Sequence, residues 1–211
     1  MTALNTQTTW GWVQRSIHWF AALVILFQLA MGFYMVNFLN DLERFGEVQT
    51  HKSWGFVAFI LIAVRIIWRA MNPTPEEPAM PDWQRTASRG SHIALYALMV
   101  ILPLTGWLMV TASPLNDPDA YPFQVKNMVF GLFEMPDLFA TGDRDLTGIF
   151  ATVHAYAAFG IAVLLALHVA AALKHQFVDR DGLLSRMVSG RPMSEEASDG
   201  SEASDLKRSE V

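Results

Sequence analysis

Four histidines, His18, His51, His154 and His168, each lie in or beside a long apolar run. Imidazole is a common axial ligand to haem iron and a proton carrier near neutral pH, so their spacing bears directly on chemistry. His154 and His168 are fourteen residues apart in one run. In an α-helix that step rises about 21 Å and returns to nearly the same face. A single helix then carries two metal centres at two depths, and other helices supply the second ligand to each.

The elements that must position these groups are four apolar segments, Ile17–Val36, Trp54–Met71, Ile93–Ala112 and Ile149–Leu173. Each is near the roughly 20 residues a membrane-spanning helix requires. Charge is sparse in them, apart from Arg65 and Arg69, and none shows the polar face that a helix of a soluble bundle needs. Apolar residues make up 52% of the chain. The first segment is too long for the core of a cleaved signal peptide, and no small-residue cleavage site follows it. The expected fold is all-α: an integral membrane four-helix transmembrane bundle holding two stacked b haems, over residues 1–191, in a lipid bilayer.

Basic residues orient it. Arg15 precedes the first segment, Arg65, Arg69, Arg85 and Arg89 flank the link between the second and third, and Lys174, Arg180, Arg186 and Arg191 follow the fourth. The other two links hold Arg44, Lys52, Lys126 and Arg144 among acids such as Asp41, Glu43, Asp117, Glu134 and Asp143. The positive-inside rule puts both termini in the cytoplasm and the acidic links outside, which in a bacterium is the periplasm. Residues 192–211, rich in Ser, Glu and Asp, have little to bury and are expected to form a disordered acidic tail. That tail carries much of the net charge of −5. No nucleic-acid partner is expected. The absence of cysteine excludes disulfides, thiolate-held iron–sulfur clusters and covalently attached c-type haem. A haem here is non-covalent and of b type or a close relative.

Depth pairs the ligands. His51 opens the second segment on the outer side, level with His154, and His18 matches the deeper His168. The fourteen-residue step recurs from His18 to Gly32, from His92 to Gly106 and from His51 to Arg65. The glycines either let a flat macrocycle approach the backbone or serve ordinary small-residue helix packing. Arg65 either pairs with a propionate of the inner haem or snorkels to the headgroups. His92 and His175 belong near the cytoplasmic edge of the inner haem. Either is placed to give a proton to a quinone or to sit at the interface without a ligand, and His92 competes with His18 as the inner axial ligand. In the link before the fourth segment, Phe130, Leu132, Phe133, Leu138 and Phe139 suggest a short element capping the outer haem or a loop dipping among the headgroups.

These motifs resemble the bacterial cytochrome b-561 family, related to the cytochrome b subunits of nickel–iron hydrogenases and formate dehydrogenases. The resemblance covers about residues 10–190 and rests on Arg15-Ser16-Ile17-His18-Trp19, His51-Lys52-Ser53-Trp54-Gly55, Arg65-Ile66-Ile67-Trp68-Arg69, His92-Ile93-Ala94-Leu95-Tyr96, Leu102-Pro103-Leu104-Thr105-Gly106-Trp107 and Leu167-His168-Val169 through Lys174-His175. It implies two b haems held from the first, second and fourth helices, a cytoplasmic-membrane setting and contact with the quinone pool. The acidic tail is not part of the family pattern. Some members oxidise superoxide and pass its electron to ubiquinone, which makes a superoxide:ubiquinone oxidoreductase the first expectation. Lys52, beside His51, is then the cation that attracts the anion. The alternative is a relay subunit that takes electrons from a periplasmic redox protein docked on the acidic outer surface. A haemless structural membrane protein is the third reading, and the matched histidine depths speak against it.

Overall fold

Apolar runs with no polar face cannot be solvated by water, and in lipid each backbone amide must find its partner within its own segment, which only a helix or a closed barrel allows. The chain takes the helical solution. In the computed structural model, which describes residues 2–78, 80–116 and 126–191, four long helices run over Trp12–Phe38 (α1), Asp41–Met71 (α2), Asp82–Thr111 (α3) and Arg144–Lys174 (α4). All four are long and apolar enough to cross a membrane. Large side chains such as Leu23, Phe33, Ile93, Phe159 and Leu167 stand exposed on them, the expected state of surfaces that lipid covers. The acidic tail expected over residues 192–211, and Asp117 in the outer link, lie outside the described residues.

The helices extend beyond the apolar segments because their polar ends are capped. Asn40 Oδ1 accepts the amides of Leu42 and Glu43, and Glu43 returns the bond by accepting the Asn40 amide at 3.1 Å. This reciprocal box starts α2 ten residues before His51, so His51 lies well inside the helix rather than opening it. Asp143 does the same for α4, accepting the amides of Asp145 and Leu146. The Pro73 and Pro75 pair stops α2 at Met71.

The chain divides into two compact units, to each of which all four helices contribute. The first comprises Met1–His18, Arg65–Ser91 and Ala166–Val211. In it a turn of wider, π-type helix, His175–Asp179, and a short helix, Leu183–Val188 (α5), follow α4. The second comprises Trp19–Val64 and His92–Leu165. Its core is Ile62, Met99 and Ile161, packed by Ile25, Leu29, Leu95 and Leu98. The link between α3 and α4 forms a two-stranded antiparallel hairpin, Met128–Val129 (β1) with Phe133–Glu134 (β2).

Candidate haem sites

In the second unit, His51 from α2 and His154 from α4 face each other with ring centroids 6.3 Å apart and planes at 80°. A metal–nitrogen bond is about 2 Å and an imidazole nitrogen lies roughly 1 Å from its ring centre, so two imidazoles sharing one metal have centroids roughly 6 Å apart. The observed spacing fits a metal between the rings. The nitrogens are arranged accordingly. His154 Nδ1 lies 3.0 Å from the carbonyl oxygen of Leu102 and 3.1 Å from Thr105 Oγ1. A carbonyl only accepts, so Nδ1 carries the hydrogen and Nε2 keeps its lone pair for a metal. His51 Nδ1 is buried without a hydrogen-bond partner among the described residues, a condition that a bound group or water would relieve.

The two glycines marked by the fourteen-residue step lie against these rings. A Cβ on Gly106 would come 3.3 Å from His154 Cε1, and one on Gly32 would come 3.8 Å from His51 Cε1. The hairpin closes over the start of the apolar part of α2. Phe130 donates its amide to Ser53 Oγ at 2.9 Å and stacks edge-on against Trp54, and Phe133 does likewise against Phe56. Trp107 Nε1 donates to the carbonyl of Pro136. Of the apolar residues of this link, Phe130 and Phe133 thus pack on α2, while Leu132 and Leu138 stand exposed. Lys52 is drawn to the link: its Nζ donates to Asn127 Oδ1 at 3.1 Å, and Asn127 Nδ2 donates to Asp137 Oδ1 at 2.7 Å.

In the first unit, His18 from α1 and His168 from α4 are 6.4 Å apart between centroids, with planes at 55°. The distance again matches two imidazoles on one metal. The ring paired with His168 is that of His18. Arg65 belongs to the same unit as this pair. His175 Nδ1 approaches Asp181 Oδ2 at 2.5 Å and Asp179 Oδ2 at 3.4 Å, while Lys174 pairs with Asp179. The segment after α4 is locked in place by two arginines. Arg15 donates to the carbonyl of Val188 at 3.1 Å, and the buried Arg186 donates to that of Glu76 at 2.8 Å. Burial pulls the Arg186 guanidinium below its ordinary range, and Glu76 and Asp181 counter that pull.

Asn127, Asp137 and Asp181 escape a reading of the sequence, and the Leu102–Thr105 stretch enters it as a motif without a role. Asn127 reaches Lys52 from 75 residues away and Leu102 meets His154 across 52, whereas Asp181 is only six residues from His175 and is brought to it by a turn that no spacing announces.

Apolar membrane-length helices carrying imidazoles paired at metal-bridging distance define a helical membrane haem protein. The chain matches the family described as prokaryotic cytochrome b561 over residues 9–190, and it belongs to that family. It is 31% identical to cytochrome b561 homolog 2 of Escherichia coli (strain K12) over 192 residues, covering 89% of this chain and 95% of that protein. With cytochrome b561 homolog 1 of the same organism it shares 28% identity over 145 residues, 68% of this chain and 75% of that one. It is accordingly a haem b-binding membrane electron-transfer protein.

Proposed function

We propose that the chain passes electrons between the periplasmic side of the bacterial inner membrane and the quinone pool by way of two b haems, one held by His51 and His154 and the other by His18 and His168. The observation that carries this reading is the pair of ring separations, 6.3 and 6.4 Å, each the span of one bis-imidazole metal centre. Haem b supplies a one-electron iron couple. With two imidazoles holding each iron, no position on it would be left for a substrate, and electrons would pass without a bond to the metal.

The reaction assigned is superoxide:ubiquinone oxidoreduction. Two superoxide anions each give up one electron and leave as dioxygen, and one quinone takes up the two electrons and two protons to become quinol. On the periplasmic side Lys52 attracts the anion. On the cytoplasmic side His175 hands protons to the quinone, and Arg65 answers the propionate charge of the haem at His168. The excess of Arg and Lys at both termini and in the link between α2 and α3 orients these ends toward the cytoplasm.

A second reading is the relay of electrons from a periplasmic redox protein. The engagement of Lys52 by Asn127, with Asp137 behind it, favours it, because that carboxylate offsets the charge that would collect superoxide. Mixing the purified protein, alone with a soluble quinone, with a pulse of superoxide separates the two. Fast haem reduction coupled to quinol formation establishes the oxidoreductase. Haem reduction no faster than by a generic reductant overturns it in favour of the relay.

A further inference from the structure

The chain beyond α4 turns back sharply. Arg180 and Gly182 both adopt left-handed backbone conformations, with φ of 55° and 77°, and between them Asp181 is directed at His175. Its two oxygens have separate tasks. Oδ1 accepts the amide of Leu183 at 2.9 Å, which fixes the carboxylate at the start of α5, and Oδ2 faces His175 Nδ1 at 2.5 Å. The His175 and Asp181 side chains are largely withdrawn from solvent, 17% and 15% exposed, so the bond is only weakly screened. Asp179, at 3.4 Å from the same nitrogen, is already taken by Lys174. Arg186 is close enough to Asp181 for their charges to interact.

We infer that Asp181 is a positioning residue for His175, holding the hydrogen on Nδ1 so that Nε2 is the atom through which protons pass to quinone. An ionised carboxylate only accepts hydrogen bonds, so the ring nitrogen facing it must carry a hydrogen in both charge states. The imidazolium form gives its Nε2 proton to the quinone oxygen and is left as the neutral ring with hydrogen on Nδ1, still bonded to Asp181. Water then returns a proton to Nε2. Two such transfers match the two electrons that reduce one quinone to quinol, supplied by superoxide or, in the test, by dithionite. This inference rests on the proposed role of His175 at the quinone and adds to it the residue that sets its tautomer.

The test uses the full haem-loaded protein reduced by dithionite, mixed with a soluble quinone in stopped flow, so that the superoxide step is bypassed. His175→Gln is expected to slow quinol formation about a hundredfold, the loss of a proton donor. Asp181→Asn is expected to lower the limiting rate of haem reoxidation at saturating quinone about tenfold with the half-saturating quinone concentration unchanged, since an amide holds either ring tautomer, and Asp181→Glu to recover most of the rate. In the His175→Gln background, Asp181→Asn should cost nothing more. The haem absorbance and the rate of reduction by dithionite should be unchanged throughout.

An equal loss from Asp181→Asn with and without His175 overturns the inference and assigns Asp181 to anchoring α5 alone. An unchanged rate in Asp181→Asn overturns it as well. A rate that responds to zinc or to chelator, with Asp179→Asn as damaging as Asp181→Asn, overturns it in favour of a divalent cation held by His175, Asp179 and Asp181. A normal rate in His175→Gln sinks the role of His175 itself and the inference with it. Failure of superoxide to reduce the haems bears only on the donor, and is read in a separate experiment.

Discussion

His154 turns its Nδ1 to the backbone carbonyl of Leu102, 3.0 Å away, and a main-chain oxygen of α3 thereby sets the tautomer of a ring on α4. Backbone acceptors are fixed by the helix and do not reorient, so Nε2 keeps its lone pair free in a ring whose centre lies 6.3 Å from that of His51. Replacing either member of a pair should therefore remove one haem and spare the other. His51→Ala or His154→Ala is expected to reduce haem content from two per chain to one. His18→Ala or His168→Ala should do the same, with a different absorbance band lost. Haem extraction and reduced-minus-oxidised spectra on the purified variants would check this. Loss of both haems from a single substitution would show that the pairs are not independent sites.

Gly106 and Gly32 should respond differently to the same change. A methyl group on Gly106 meets His154 Cε1 at 3.3 Å, closer than a comfortable contact, whereas one on Gly32 meets His51 Cε1 at an ordinary 3.8 Å. Gly106→Ala is expected to shift the midpoint potential or spectrum of the haem at His154, and Gly32→Ala to leave it close to wild type. A redox titration followed in the visible range distinguishes them. Equal tolerance at both positions would mean that His154 moves aside freely.

Lys52 provides the test of anion capture. If its charge draws superoxide, Lys52→Gln should lower the rate of superoxide-driven haem reduction about tenfold and flatten its dependence on salt. Asp137→Asn, which removes the opposing carboxylate two bonds along the chain through Asn127, should raise that rate. Stopped-flow traces at several ionic strengths supply the comparison. A rate indifferent to both changes would leave Lys52 with only the task of fastening the hairpin to α2.

Arg186 should matter to stability rather than to electron transfer. It is 2% exposed and donates to the Glu76 carbonyl, so Arg186→Ala removes a partly buried, charge-assisted hydrogen bond worth about 2 kcal/mol. The unfolding midpoint in detergent should fall by about 5 °C, with haem spectra unchanged at low temperature. An unaltered midpoint would show that water replaces the guanidinium without penalty.

The long helices and the placing of His154 and His168 on one face were legible from the residues alone, for one physical reason: both depend on local periodicity. A run such as Ile149–Leu173 without a polar face has no soluble alternative, and a fourteen-residue step along a helix returns His168 to the face of His154 whatever surrounds it. The start of α2 at Asp41 was less visible, because the capping box of Asn40 and Glu43 extends the helix through residues whose polarity reads as a link. What tertiary structure alone decided are the partners of these groups. Lys52 reads in the sequence as a lone cation beside a histidine, and folding brings Asn127 to it from 75 residues away. His175 reads in the sequence as a proton donor to quinone or an interfacial histidine, and two left-handed residues, Arg180 and Gly182, turn Asp181 back onto it. Such contacts depend on the path of the links, which hydrophobic patterning does not encode. Candidate ligands thus stand out by their spacing along single helices, whereas the groups that orient them emerged only when separate segments met.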